Sequence, residues 1–127
     1  MLDTTVLIDA KRHADAVADL LDDDDDVSMA AVTLAELLVG VELADSRRRA
    51  QRERYVADLV ATIAVDDYDS GVARAHARLL AHARRVGRPR GAHDLIVAAT
   101  ALERARMVVT ADVGGFAGLP DLAVRTL

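Results

Sequence analysis

Three carboxylates of this chain stand at positions where an acid could do chemistry. Asp3 interrupts the apolar, β-branched run Met1 to Ile8, which predicts a buried parallel strand, and a carboxylate there requires a cation, an arginine or an unusual proton. Asp94 lies in the first turn of an apolar helix, and Asp112 directly follows the predicted strand Met107 to Thr110. Because α/β sheets gather ligands at the carboxyl ends of their strands, Asp94 and Asp112 are candidate site residues.

A fourth acid, Glu36, has two possible roles. It follows Thr33 at the spacing of a capping box, and it lies roughly opposite an apolar stripe that includes Leu34 and Leu37. Glu36 is therefore either a surface cap or the wall of a cleft. Asp94 also has a purely structural alternative, since an acid in the first turn favours the helix dipole by about 0.3–1 kcal/mol. The residues alone leave these alternatives open.

Arginines cluster in two stretches, 47–54 and 84–90, and Lys11 is the only lysine. Cations at the start of the predicted helix Ser46 to Ile63 oppose the helix dipole, which indicates either an anionic partner or a solvated helix end. The net charge of −5 argues against binding of nucleic acid by bulk electrostatics. Any contact with nucleic acid must therefore come from local arginines, and the candidates are Arg48, Arg52, Arg88 and Arg90.

Length and composition predict one domain over residues 1–127, large enough to bury a core without disulfides. The sequence has no cysteine, which excludes thiolate metal sites and cysteine nucleophiles. Its apolar runs are far shorter than the ~20 residues of a membrane span, and no signal peptide is recognisable. We therefore expect a cytoplasmic protein without a membrane association.

Strand and helix patterns alternate along the chain, which predicts an α/β fold with a mainly parallel sheet of about five strands and helices on both faces. Short strands are predicted at Val27 to Met29, Ile63 to Val65 and, as the last edge strand, Leu122 to Leu127. The predicted helices are Ala14 to Leu21, one starting near Thr33, Ser46 to Ile63, one capped by Asp69 and Ser70, and the Asp94 helix.

Four segments together resemble the PIN-domain ribonuclease toxins of the VapC type. They are Leu2 to Ile8, Val32 to Glu42, Gly87 to Asp94 and Val108 to Asp112. Each segment alone is common, but four in this order on an α/β pattern of this length are specific. The resemblance implies a PIN-like three-layer sandwich with a protruding helical hairpin.

The resemblance further implies an acidic pocket in which Asp3, Glu36, Asp94 and Asp112 hold Mg²⁺ or Mn²⁺ as the cofactor. Oxygen ligands suit these hard cations. Thr5 or Thr110 would then bind a water held by the metal. The implied reaction is hydrolysis of a phosphodiester bond in structured RNA, leaving a 5′-phosphate and a 3′-hydroxyl. Three further acids near strand ends, Asp9, Asp66 and Asp67, are either accessory ligands or capping residues.

Two kinds of protein partner follow from the same resemblance. VapC-type toxins are usually homodimers, and a cognate VapB-like antitoxin neutralises them by laying its tail along a groove beside the hairpin. The apolar side of the segment Leu34 to Ile63 could supply that groove. Two alternatives to a nuclease remain: a phosphotransfer domain of the receiver or phosphohydrolase kind, and a catalytically inactive binding module on the same fold.

Overall fold

The structure, a computed structural model, describes residues 1–8, 18–19 and 24–127. The helices of this part of the chain are α1 (Thr4–Ile8), α2 (Ala31–Glu42), α3 (Ser46–Thr62), α4 (Ser70–Arg85) and α5 (Ala92–Glu103). The strands are β1 (Ser28–Ala30), β2 (Ala64–Asp66), β3 (Val108–Thr110) and β4 (Val124–Thr126), with a short 3₁₀ turn at Val113–Gly115. No described helix combines the length and apolar character that a membrane crossing requires.

The strands form two parallel pairs, which the first three residues join. β1 pairs with β2, and β3 pairs with β4. The Leu2 N–H donates to the Ser28 carbonyl at 2.8 Å on one side, and the Asp3 N–H donates to the Val109 carbonyl at 2.9 Å on the other. Leu2 also forms a parallel bridge with Val109. The resulting spatial order, β2, β1, residues 1–3, β3 and β4, confirms the predicted parallel sheet of about five strands.

Successive residues of the sheet enter different apolar clusters, as the two-residue period of a strand requires. Met1, Ala30 and Val108 pack with α4 and α5, whereas Leu2, Met29 and Val109 pack with α1, α2 and α3. Both faces of the sheet are therefore covered by helices. This confirms the predicted sandwich and explains why the strands read as continuous apolar runs.

The prediction of a strand across Met1 to Ile8 is wrong beyond Asp3. Helix α1 begins at Thr4, and the Asp3 carbonyl accepts from the N–H groups of Val6 and Leu7 at 3.1 and 3.3 Å. Val6 and Leu7 are both buried in one cluster, which a strand could not achieve with adjacent residues. The β-branched composition thus resembled a strand, while tertiary packing selected a helix.

The bounds of the other predicted helices and strands differ little from those in the structure, except for one predicted helix that cannot be compared with it. The helix Ala14 to Leu21 lies mostly outside the described residues, as does Asp9. Helix α2 begins at Ala31, two residues before Thr33, and its N-cap Ala30 provides no side-chain hydrogen bond. The Thr33 hydroxyl is buried and has no hydrogen-bond partner among the described residues, so the capping-box interpretation of Glu36 is wrong.

Helices α2 and α3 form the predicted hairpin, and three polar contacts fix it. Asp45 caps α3 by accepting from the Arg48 N–H at 2.9 Å. Arg52 of α3 donates to the Gly40 carbonyl of α2 at 2.7 Å. Tyr55 of α3 donates its hydroxyl to the Leu7 carbonyl of α1. The hairpin is thereby tied both to itself and to the segment that carries Asp3.

Replacing the α3 cap is expected to weaken the hairpin without disturbing the acidic residues. Asp45→Ala removes the acceptor for the Arg48 N–H and should lower the free energy of unfolding by about 1 kcal/mol in urea titrations. Asp45→Asn keeps a capping oxygen and should leave stability nearly unchanged. Equal losses in both variants would contradict the role of Asp45 as a cap.

Candidate acidic site

Asp3 is buried, with 4% of its surface exposed, and two threonine hydroxyls satisfy its carboxylate. Thr5 donates to Asp3 Oδ2 at 2.8 Å, and Thr110 donates to the same oxygen at 2.9 Å. The two hydroxyls lie 3.2 Å apart. Because Thr110 belongs to β3 and Thr5 to α1, the carboxylate holds the N-terminal segment against the carboxyl end of β3. Asp3 is thus fixed in place by neutral donors rather than by an arginine.

Asp112 follows β3 and is placed by the same threonines. Its backbone N–H donates to Thr110 Oγ1 at 3.0 Å, while the Ala111 N–H donates to Thr5 Oγ1 at 3.1 Å. The Asp112 carboxylate caps the following 3₁₀ turn by accepting from the Gly114 N–H at 3.0 Å. Asp112 is exposed, so one of its carboxylate oxygens is engaged while the group faces solvent.

Asp94 lies in the first turn of α5, as predicted, and two glycines make room for its carboxylate. A Cβ at Gly115 would lie 2.4 Å from Asp94 Oδ2, and a Cβ at Gly91 would lie 3.0 Å from the same atom. Side chains at these positions would therefore push the carboxylate away. A glycine is required at Gly115 because the backbone there approaches the Asp94 carboxylate closely.

Glu36 projects from α2 toward the start of α5, where it meets His93. His93 Nδ1 lies 2.9 Å from Glu36 Oε1. The Glu36 side chain is 28% exposed and the His93 side chain 60% exposed, so the pair lies at the rim of the site. Glu36 is thus a cleft residue, and its partner His93 is adjacent in sequence to Asp94.

The four acids share one electrostatic environment centred on Asp94. Burial raises the pKa of the Asp94 carboxyl, and the negative charges of Asp3, Asp112 and Glu36 raise this pKa further. His93 acts in the opposite direction. The tertiary structure therefore brings together all four acids that the sequence singled out, although they come from four separate segments.

The donor set of the site suits a hard divalent cation, but its side chains do not converge on one point. Four carboxylates supply only oxygen ligands, which Mg²⁺ and Mn²⁺ prefer. Among the described residues, no three Asp, Glu or His side chains lie close enough to surround one cation. Asp3, Glu36 and Asp112 are each held by a neighbouring donor, namely a pair of threonines, His93 and the Gly114 N–H.

The other acids near strand ends have partners outside this site. Asp66 lies 2.8 Å from the Arg106 guanidinium and 3.9 Å from that of Arg104. The carbonyl of Asp67 accepts from Arg104 at 3.2 Å. The structure therefore places Asp66 and Asp67 among structural arginines, as capping or pairing residues.

The arginines proposed to contact RNA have different surroundings. Arg90 donates to the Gly114 carbonyl at 2.6 Å and also to the Ala117 carbonyl, so it braces the loop after β3. Arg52 borders a cavity that also contains Glu36. Arg48 and Arg88 are exposed, Arg48 in the first turn of α3 and Arg88 in the loop before α5. Their contact with RNA stays a prediction.

Sequence reasoning missed the partner of Glu36. No local pattern pairs Glu36 with His93, because only the tertiary structure brings α2 beside the start of α5. Its position next to Asp94 was the single available signal. The sequence around Arg90 does not indicate its bracing role, because the backbone carbonyls that accept its hydrogen bonds lie more than twenty residues further along the chain.

Repulsion among the acids should destabilise the metal-free protein at neutral pH. The pKa of Asp94 is raised in the folded state, so the folded protein binds the Asp94 proton more tightly than the unfolded chain does. The contribution of this proton to the free energy of unfolding is present at low pH and is lost as the pH rises through the folded-state pKa. Asp94→Asn should therefore unfold at higher urea than wild type near pH 7 in EDTA, and this advantage should shrink toward pH 4. Asp58→Asn, the same change at an exposed position of α3, is the control and should give no such advantage.

Gly115→Ala is expected to displace the Asp94 carboxylate while preserving the fold, since the atom it meets is the end of a side chain. The ¹³C resonance of the Asp94 carboxyl should move, and the melting temperature should change little. Gly114→Ala is the matched control, because its Cβ would meet Asp112 Oδ1 at 3.2 Å instead. An Asp94 resonance that moved equally in both variants would contradict this account of Gly115.

Comparisons with known proteins agree with this geometry. The family model of the PIN domain matches residues 1–121. The structure of VapBC-5 from Mycobacterium tuberculosis is 34% identical, with a TM-score of 0.72 over 99% of this chain and 94% of that chain. VapBC-1 from nontypeable Haemophilus influenzae is 26% identical, with a TM-score of 0.86 over 99% and 96% of the two chains.

A third structure extends the likeness of the fold. VapBC2 from Rickettsia felis matches with a TM-score of 0.90 at 21% identity, over 100% of this chain and 97% of that chain. A comparison with curated protein sequences finds no match. The family model, the 34% identical structure and the gathered acids together show that this chain belongs to the PIN-domain family and is of the VapC type.

Proposed function

We propose that this chain is the toxin of a toxin–antitoxin pair and that it is an endoribonuclease dependent on Mg²⁺ or Mn²⁺. The observation that carries the proposal is the electrostatic coupling of Asp94 to Asp3, Glu36 and Asp112. A protein gains nothing in stability from four carboxylates that repel one another. Such an arrangement is expected where a cation offsets the repulsion and does chemistry.

The similarity to solved structures supports the toxin assignment. VapBC-5 from M. tuberculosis is described as a member of the VapBC family of toxin–antitoxin systems, and this chain covers almost all of its matched chain. Membership in the PIN-domain family also argues against the phosphotransfer alternative.

Asp3, Glu36, Asp94 and Asp112 would hold the metal ion. When bound, the ion would lower the pKa of an attacking water and offset the charge that builds up on the scissile phosphate and its leaving oxygen. The protein's own residues supply position. Thr5 and Thr110 fix Asp3, and the close approach of Gly115 sets where the Asp94 carboxylate lies.

The contacts of the described residues engage one carboxylate oxygen of each of three acids. These oxygens are Asp3 Oδ2, Glu36 Oε1 and Asp112 Oδ1. The second oxygen of each acid would be the one to bind a cation. The products would carry a 5′-phosphate and a 3′-hydroxyl, and an RNA substrate would place the reaction in the cytoplasm.

We propose the apolar groove of the α2–α3 hairpin as the place where the antitoxin docks. Leu34, Leu38, Val56 and Val60 line this groove, and Leu38 and Val60 remain 44% and 46% exposed. An amphipathic helix could cover such a surface. We also propose that the toxin is a homodimer.

A catalytically inactive binding module is the second candidate. The observation in its favour is that, among the described residues, no three acids converge on one point. This candidate predicts that a divalent cation neither stabilises the protein against unfolding nor leads to cleavage of added RNA. The nuclease predicts both effects, so the two can be separated by experiment.

Metal should stabilise the protein through the acidic site. At a hundredfold excess of Mn²⁺ over its Kd, wild type should gain about 2.7 kcal/mol of unfolding free energy. Asp94→Asn should gain less, because one ligand is lost, whereas Asp58→Asn should gain as much as wild type. Equal gains in unfolding free energy in all three proteins would show that Asp94 is not a metal ligand.

Cleavage is tested by incubating the partner-free chain with total bacterial RNA in Mn²⁺ or in EDTA and mapping new 5′ ends. Discrete cuts are expected only with Mn²⁺, and Asp94→Asn should abolish them while Asp58→Asn retains them. Cuts that persist in EDTA or in Asp94→Asn would indicate a contaminating nuclease. Metal binding without cuts on any RNA would contradict the endoribonuclease.

A further inference from the structure

A cavity of about 250 Å³ lies beside Glu36, between α2, α3 and the end of α1. We call it the Glu36-side cavity. It is lined by Ile8, Glu36, Leu37, Arg52, Tyr55 and Val56. Pockets for drug-sized ligands span about 300–1,000 Å³, so this smaller space suits a ligand about the size of a single ring system. It opens next to an acid that we assign to the reaction.

Tyr55 gives the cavity a fixed aromatic wall. Its hydroxyl donates to the Leu7 carbonyl, and burial raises the pKa of this hydroxyl, in keeping with its enclosed position. Apolar side chains such as Leu37 and Val56 form the rest of the wall. Nucleobases bind proteins by stacking on aromatic side chains whose orientation is already set. Only three Phe, Trp or Tyr residues occur in the whole sequence, and Tyr55 is the one that lines this cavity with Glu36.

Arg52 gives the same cavity a positioned cation. Its guanidinium donates to the Gly40 carbonyl, one helical turn from Glu36. Among the described residues no carboxylate lies within ion-pair distance of Arg52, whereas Arg49, Arg104 and Arg106 all pair with acids. The charge of Arg52 is therefore left to attract an anion.

The electrostatics of the chain make such a cation necessary for an RNA substrate. The protein carries a net charge of −5, and the acids around Asp94 repel phosphate. A fixed arginine next to Glu36 offsets that repulsion locally. A small space with apolar walls, one aromatic ring and one cation together match the base and phosphate of one nucleotide.

We propose that the Glu36-side cavity is a nucleotide subsite, which binds the base and phosphate of an RNA residue next to the bond that is cut. The proposal rests on the proposed nuclease function for its biological meaning. Binding of a nucleotide in the cavity does not itself require metal or cleavage. The subsite and the reaction can therefore be tested apart.

The chain offers an internal control for this test, because it contains two tyrosines, Tyr55 and Tyr68. The Tyr68 hydroxyl forms a hydrogen bond with Nδ1 of His76 in α4, and Tyr68 does not line the cavity. Labelling with 3-fluorotyrosine gives two ¹⁹F signals, which Tyr68→Phe assigns. The probes are the four ribonucleoside 5′-monophosphates, titrated in EDTA, with inorganic phosphate as the comparison.

The Tyr55 signal should shift to saturation with at least one nucleotide, while the Tyr68 signal stays in place. Arg52→Gln should weaken this binding about tenfold, corresponding to about 1.4 kcal/mol. Arg54→Gln, an exposed arginine of the same helix, should not weaken it. Equal shifts of both tyrosines, no shift of Tyr55, or the same shift with inorganic phosphate would overturn the nucleotide subsite.

RNA cleavage measured in parallel separates the two proposals. Cleavage with Mn²⁺ but no Tyr55 shift would leave the nuclease and overturn the subsite. A nucleotide-dependent Tyr55 shift without cleavage would support the subsite and overturn the nuclease. Loss of antitoxin binding in Arg52→Gln, with nucleotide binding unchanged, would assign Arg52 to a protein partner and overturn its role here.

Discussion

The burial of the Asp3 carboxylate is the constraint on which the rest of the structure depends. A charged group with 4% of its surface exposed must be hydrogen-bonded, and the hydroxyls of Thr5 and Thr110 meet that need. Thr5 can reach Asp3 only because the chain turns into α1 directly after it. Thr110 can reach it only because residues 1–3 lie beside β3. Local helix, strand pairing and acid placement are thus linked by one carboxylate.

The other three acids lie near Asp3, and the negative charges of this group raise the pKa of Asp94. Its partial burial, together with the charges of Asp3, Glu36 and Asp112, opposes ionisation. Two of these neighbours are restrained by other contacts, Glu36 by His93 and Asp112 by the Gly114 N–H. The fold therefore keeps the four acids near one another, but among the described residues no three of their side chains lie close enough to surround one cation.

The hairpin connects this acidic site with the surfaces that would meet larger partners. Arg52 and Tyr55 point from α3 to backbone carbonyls of α2 and α1, which fixes the Glu36-side cavity next to the acids. On the same hairpin, Leu38 and Val60 leave an apolar groove exposed. The polar and the apolar surface of this hairpin are thus formed by the same two helices, α2 and α3.

The sequence by itself determined the alternation of helices and strands, the place of Asp94 in the first turn of its helix and that of Asp112 directly after β3, because periodicity, caps and turn residues act over a few neighbours. The tertiary structure decided the rest. It selected a helix for Thr4–Ile8, turned Glu36 to His93 instead of Thr33, and committed Arg90 to the carbonyls of Gly114 and Ala117. The physical reason is that each of these choices depends on hydrogen bonds and packing between residues far apart in the chain, which no local pattern encodes.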